Sequence, residues 1–189
     1  MRADARRNYE ALITAARELF VELGSDAPLD EIARRAGVGA GTLYRHFPTR
    51  ADLLAGVYVA DLEELAAVGQ RLVETQGPAA ALDQFLTAYL QMSLRNGAIK
   101  RAVQAMLSDT EPVPASLSEC RGTVHAVWAE ILERAQAAGV ARPGIEPGTL
   151  MRMIYGIAMA TQDNPANAAP MLDVLRAGVL TEAAERQPA

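Results

Sequence analysis

The stretch Pro28-Leu-Asp-Glu-Ile-Ala-Arg-Arg-Ala-Gly-Val-Gly-Ala-Gly-Thr-Leu-Tyr-Arg-His-Phe47 decides the fold. Leu29, Ile32, Ala33 and Ala36 recur at three- and four-residue intervals, one face of a helix, and leave Asp30, Glu31, Arg34 and Arg35 on the other. Gly37 follows the last apolar residue, where a left-handed C′ position ends a helix without a Cβ clash, and Val38 is left to fill the corner. Gly39 then stands at the N-cap of a second helix over about 40–47. Helices joined by so short a turn meet at a steep angle, the helix-turn-helix arrangement whose second helix enters the DNA major groove. Within that helix Leu43 and Phe47 are four apart and face a core. Ala40, Gly41, Thr42, Tyr44, Arg45 and His46 are left facing outward.

The segment Ile32–Phe47, followed by Arg50, Leu53 and Leu54, closely resembles the DNA-binding signature of the tetracycline-repressor (TetR) family of bacterial regulators. The likeness covers about residues 7–58. It includes the preceding helix, where Tyr9, Leu12, Ile13, Ala16, Leu19, Phe20 and Leu23 form an apolar stripe ended by Gly24. Two positions depart from the pattern: Pro28 stands where Ser or Thr is usual, and Gly39 where Ser is frequent. Pro28 cannot cap with a side chain, although its fixed φ suits a first helical position.

The resemblance implies an all-α protein with a three-helix DNA-binding domain at residues 1–50 and a helical effector-binding and dimerisation domain at 51–189. It implies a ligand-responsive regulator, commonly a repressor, that binds a near-palindromic operator as a homodimer and is released by a small organic effector of unknown identity. On this chain Thr42, Tyr44 and His46 would meet phosphates, Arg50 another phosphate, and Arg6 and Arg7 would add positive charge. Ala40, Gly41, Thr42 and Arg45 would approach the bases. Of these only Arg45 has a forked donor able to read guanine. The alternative reading is a helical small-molecule sensor or adaptor that acts through protein contacts.

Composition agrees with a globular protein: 189 residues, 50% of them hydrophobic and 22% charged. The net charge of -5 divides unevenly. Residues 1–50 hold eight Arg against seven acidic groups, net +1, and the remainder is net -6. With so little excess positive charge on the reading head, phosphate contact must depend on where each arginine and helix end is placed. Cys120, the single cysteine, rules out an internal disulfide, fits a reducing cytoplasm, and reads as a small buried hydrophobe. No run of 18 apolar residues predicts a membrane span, and the N-terminus has no signal core. Only His46 and His125 could act as imidazole bases, and no Cys/His cluster has metal-ligand spacing. The expectation is therefore a non-enzyme without cofactor or metal.

Beyond residue 50, period-3.6 apolar patterns and glycine/proline punctuation predict further helices, about nine in all, and no strands. One runs from Arg50 to about Glu74; the next is expected to break at Asn96-Gly97. Near the C-terminus, Leu150, Ile154, Ile157 and Ala158 make one stripe and Met171, Leu172, Leu175 and Val179 another. Two such helices from each of two chains would form a four-helix bundle, and the resemblance implies the same dimer interface. The effector pocket implied by the family would draw on Tyr58, Phe85, Tyr89, Met92, Met106, Trp128 and Met153, large or adaptable side chains suited to an organic molecule. His125 and Arg121 are the polar groups nearest these in sequence.

Overall fold

The apolar spacing is realised as helices throughout the computed structural model, which describes residues 2–107 and 115–181. In chain order they are α1 (Arg2–Leu23), α2 (Leu29–Arg35), α3 (Ala40–His46), α4 (Arg50–Thr75), α5 (Pro78–Leu107), α6 (Ala115–Ala137), α7 (Pro147–Ala160), a 3-10 turn (Pro165–Asn167) and α8 (Ala168–Val179). Among the described residues the one extended pairing is an isolated bridge between Ala141 and Leu180.

Asn96-Gly97 does not end a helix. α5 runs through it for 30 residues. Asn96 is only 2% exposed and Gly97 is buried, so a turn here would strand backbone amides away from water, whereas an uninterrupted helix pairs them. Met106 lies on α5, but its side chain falls outside the described residues.

Two compact units emerge from the packing: Met1–Asp61 with Asn96–Ser118, and Leu62–Arg95 with Glu119–Ala189. In the first, Leu12, Ile13, Ala16, Leu19 and Phe20 of α1 are buried along with Ile32, Leu43, Phe47, Leu53, Leu54 and Val57. Leu23, expected on the same stripe, is 58% exposed because α1 stops there and the chain turns away at Gly24. Arg17 of α1 reaches Asp61 of α4 at 2.5 Å, and the carboxylate side chain is 2% exposed, so the charge is buried with a cation beside it.

The second unit is built on Trp128, fully buried, with its ring 4.7 Å from Phe85 and 5.6 Å from Tyr89. α4 approaches this cluster through Gly69, where a Cβ would fall 2.3 Å from Val127 Cγ1 and 2.8 Å from Phe85 Cε2. Glycine costs a helix about 1 kcal/mol relative to alanine, yet here it is what lets the helices approach. The end of α8 is fastened to the turn after α6: Arg142 N–H donates to Val179 O (2.9 Å) and Thr181 N–H to Val140 O (3.1 Å). Arg176 of α8 donates to Thr87 Oγ1 of α5 at 2.6 Å and to Asp173 at 2.8 Å.

Cys120 is half-buried rather than buried. Its Sγ lies 3.9 Å from Glu63 Oε1. Burial, followed by the charges of Glu63 and Glu119, pushes the thiol pKa up and keeps it protonated.

Candidate nucleic-acid interface

α2 ends as the sequence requires. Gly37 has φ +69°, its N–H donates to Arg34 O (3.1 Å), and Val38 N–H donates to Ala33 O (3.0 Å), the paired bonds of a Schellman turn. Gly39 then takes an extended N-cap conformation and α3 begins at Ala40. Leu43 and Phe47 are 1% and 3% exposed and hold α3 to the core. The Phe47 ring sits 5.2 Å from Tyr9, and His46 approaches the same tyrosine at 6.0 Å.

With its inner face so committed, α3 presents the other edge to solvent. Ala40, Gly41, Tyr44 and Arg45 are exposed, Tyr44 to 48%, while Thr42 and His46 are half-buried. Arg45 folds along its own helix, donating from Nε to Gly41 O (3.0 Å) and from Nη2 to Thr42 Oγ1 (3.2 Å). To read a base edge the fork must exchange these contacts.

Arg50, expected at a phosphate, commits one of its guanidinium nitrogens to the protein. Its Nη1 donates to Ser25 O (2.9 Å) and Ala27 O (2.7 Å) in a partly buried position. The start of α4 is also fixed by a reciprocal cap that the sequence reading missed: Thr49 N–H donates to Asp52 Oδ2 (2.9 Å) and Asp52 N–H to Thr49 Oγ1 (3.1 Å). A Ser/Thr residue followed three positions later by an acidic one was the available signal.

Several arginines of the head are matched by carboxylates. Arg34 is bidentate to Glu31 (2.8 and 2.6 Å), and Arg35 is bidentate to Glu22 (2.7 and 3.1 Å). These hydrogen bonds hold both carboxyls below the usual glutamate range. Arg6 pairs with Glu10 at 2.8 Å, and Arg7 with Asp4. The N-terminal arginines thus carry less uncompensated charge than the bare sequence suggests.

The predicted interior residues separate. Phe85, Tyr89, Met92 and Trp128 are buried in the second unit, whereas Tyr58, 7% exposed, belongs to the first. Met153 does not join them: it is 49% exposed and lines an apolar groove of about 580 Å³ between α7 and α8. His125 and Arg121 are exposed.

The two stripes expected at the dimer interface divide at that groove. Leu150, Ile157, Leu175 and Val179 form its floor and Met171 part of its wall, but Ile154, Ala158 and Leu172 are 0%, 0% and 2% exposed and are not in its lining. The helices bury their main apolar stripe against their own protomer first. The free face is a lateral one, carried by Met153, Met171 and Val174, the last 75% exposed. Its Met171, Val174, Gly178 spacing of three and four was legible in the sequence.

A helix-turn-helix whose exposed edge carries Tyr44 and Arg45 is the build of a DNA-binding protein. Residues 12–57 match the family of bacterial regulatory proteins of the tetR type, and residues 77–181 match the SbtR-like transcriptional regulator C-terminal domain. The chain belongs to the TetR family of transcriptional regulators. A TetR transcriptional regulator from Streptomyces coelicolor is 30% identical, with TM-score 0.74 over 92% of this chain and 99% of that one. A TetR transcription regulatory protein from Mycobacterium vanbaalenii is 28% identical, with TM-score 0.70 over 95% and 99%. Among curated relatives, an HTH-type transcriptional regulator of Staphylococcus aureus strain USA300 is 31% identical over 107 residues, 56% of this chain and 58% of that protein, so the match spans little over half the length of that relative. Among the described residues no helix is long and apolar enough to cross a membrane.

Proposed function

We propose that the protein is a repressor that binds a near-palindromic operator as a homodimer and is released by a small organic effector. Residues 1–50 form the reading head; residues 51–189 bind the effector and dimerise. The observation that carries this reading is the solvent-facing edge of α3, where Tyr44 and Arg45 stand exposed while Leu43 and Phe47 anchor the helix. Thr42, Tyr44 and His46 donate to phosphate, Ala40 and Gly41 permit close approach, and Arg45 reads the bases. Two heads related by a two-fold axis would read half-sites about 34 Å apart, one helical turn. Selection of bound fragments from the source genome, followed by affinity against salt, tests the reading. A steep fall in affinity with salt is expected; no salt-sensitive binding to any fragment would leave the head to a protein partner instead.

Arg45→Ala should change sequence preference at one base pair per half-site by about 1–3 kcal/mol, as a lost bidentate contact does. Competition among singly substituted duplexes reads this out, and a uniform loss across all of them would place Arg45 on the backbone.

A second copy is the proposed occupant of the α7–α8 groove, because this apolar face joins exposed Met171 and Val174 to the small residues Gly156 and Gly178. Val174→Glu leaves the protomer free to fold, since the side chain already faces water, but would bury a charge between copies. Sedimentation should shift from dimer to monomer with an unchanged far-UV spectrum; a dimer that persists would move the interface elsewhere.

For the effector, Phe85, Tyr89, Met92 and Trp128 are the lining retained from the sequence. The Trp128 Nε1–H supports it: this donor is buried with no acceptor among the described residues, and a ligand oxygen would satisfy it. Ligand binding releases DNA only if it favours a head separation that does not fit the groove.

A further inference from the structure

We infer that Arg50 is a positioning residue that compensates for the missing cap of α2, and that this brace is its contribution to DNA binding. The inference rests on the DNA-binding reading above but on different residues. α2 starts without a side-chain cap: its N-cap position is Pro28, at φ -62° and ψ 129°, which has neither a side-chain acceptor nor an N–H. Pro28 fixes its own φ but offers no acceptor to the free N–H groups that open α2, so the entry into that helix has no side-chain restraint of its own.

Arg50 supplies that restraint from 22 positions further on. Nη1 carries two N–H bonds, and two carbonyls of the connecting segment accept from it, Ser25 O at 2.9 Å and Ala27 O at 2.7 Å. Charge-assisted bonds of this kind are stronger than neutral ones, and they are partly shielded from water. The anchor is itself rigid, because Arg50 opens α4 directly after Thr49, which caps that helix reciprocally with Asp52. Ala27, 1% exposed, is held from the other side by the core. From Pro28 the restraint passes through seven residues of α2 and the Schellman turn to α3. The orientation of the reading edge thus depends on a guanidinium whose Nη1 is already spent on the protein.

A phosphate contact and a brace leave different traces in salt titrations. Each phosphate neutralised contributes about 0.9 to the slope of log affinity against log salt, whereas reorienting the head lowers affinity at every salt concentration alike. The test compares wild type, Arg50→Met, Pro28→Ser and the double variant, using a duplex drawn from the fragments that the wild-type protein selects. Amide exchange at Ala27, whose N–H donates to Gly24 O at 3.2 Å, and through α2 is measured on the same proteins without DNA. Arg50→Met should lose about tenfold or more in affinity with an unchanged slope, and exchange at Ala27 and in α2 should quicken. Pro28→Ser, by restoring a local cap, should return the double variant to within severalfold of wild type. A slope reduced by about 0.9 with exchange unaltered would make Arg50 a phosphate contact and overturn the inference. Failure of Pro28→Ser to rescue would overturn the compensation. Should wild type bind no DNA at all, the DNA-binding reading fails, while exchange and its rescue still decide the brace in the free protein.

Discussion

Phe47→Ala should destabilise the first unit by about 3–5 kcal/mol, the range for truncating a fully buried phenylalanine. The ring is 3% exposed, packs 5.2 Å from Tyr9 and fills the space above Gly56, where a Cβ would come within 2.8 Å of Phe47 Cε1. It is also the C-cap residue of α3, so the loss falls on the end of the helix that carries Tyr44 and Arg45. Amide exchange in α2 and α3 should quicken by orders of magnitude. The fluorescence of Trp128, the single tryptophan, reports on the second unit and supplies an internal reference. DNA affinity should fall although every exposed contact residue remains. Exchange in α3 that matched wild type would mean that Phe47 is dispensable for anchoring that helix.

The helix-turn-helix was legible because each of its signals is local. Gly37 and Gly39 mark helix ends by backbone conformation, and Leu43 and Phe47 mark the inner face by spacing alone. What local spacing left open depends on partners distant in sequence. Asn96-Gly97 carries a strong turn signal, but burial on α5 overrides it. Arg50 looks like a free cation until Ser25 and Ala27 are brought to it from 25 and 23 residues away. The stripes of α7 and α8 announce that each helix has an apolar face; periodicity does not say whether that face meets its own protomer or a second copy. Ile154 and Leu172 meet their own, and Val174 faces out. Cys120 belongs with them, since Glu63, which raises its pKa, lies 57 residues earlier.

Trp128→Ala should cost the second unit about 3–5 kcal/mol, and Trp128→Phe much less, for a reason beyond size. The indole is fully buried between Phe85 and Tyr89, yet its Nε1–H has no acceptor among the described residues. A buried donor left unsatisfied costs about 1–3 kcal/mol. Phenylalanine keeps a ring against Phe85 and Tyr89 while removing that donor, so the volume lost is offset by the desolvation penalty relieved. Alanine relieves the same penalty but gives up both ring contacts and opens a cavity beside Phe85 and Tyr89. Thermal unfolding followed by far-UV circular dichroism, which needs no tryptophan, should therefore place Trp128→Phe close to wild type and Trp128→Ala far below it. If phenylalanine were as damaging as alanine, the indole N–H would be contributing a bond to the folded state. If it proved harmless to folding but abolished the response to an effector, the idle donor would be the group that recognises the ligand.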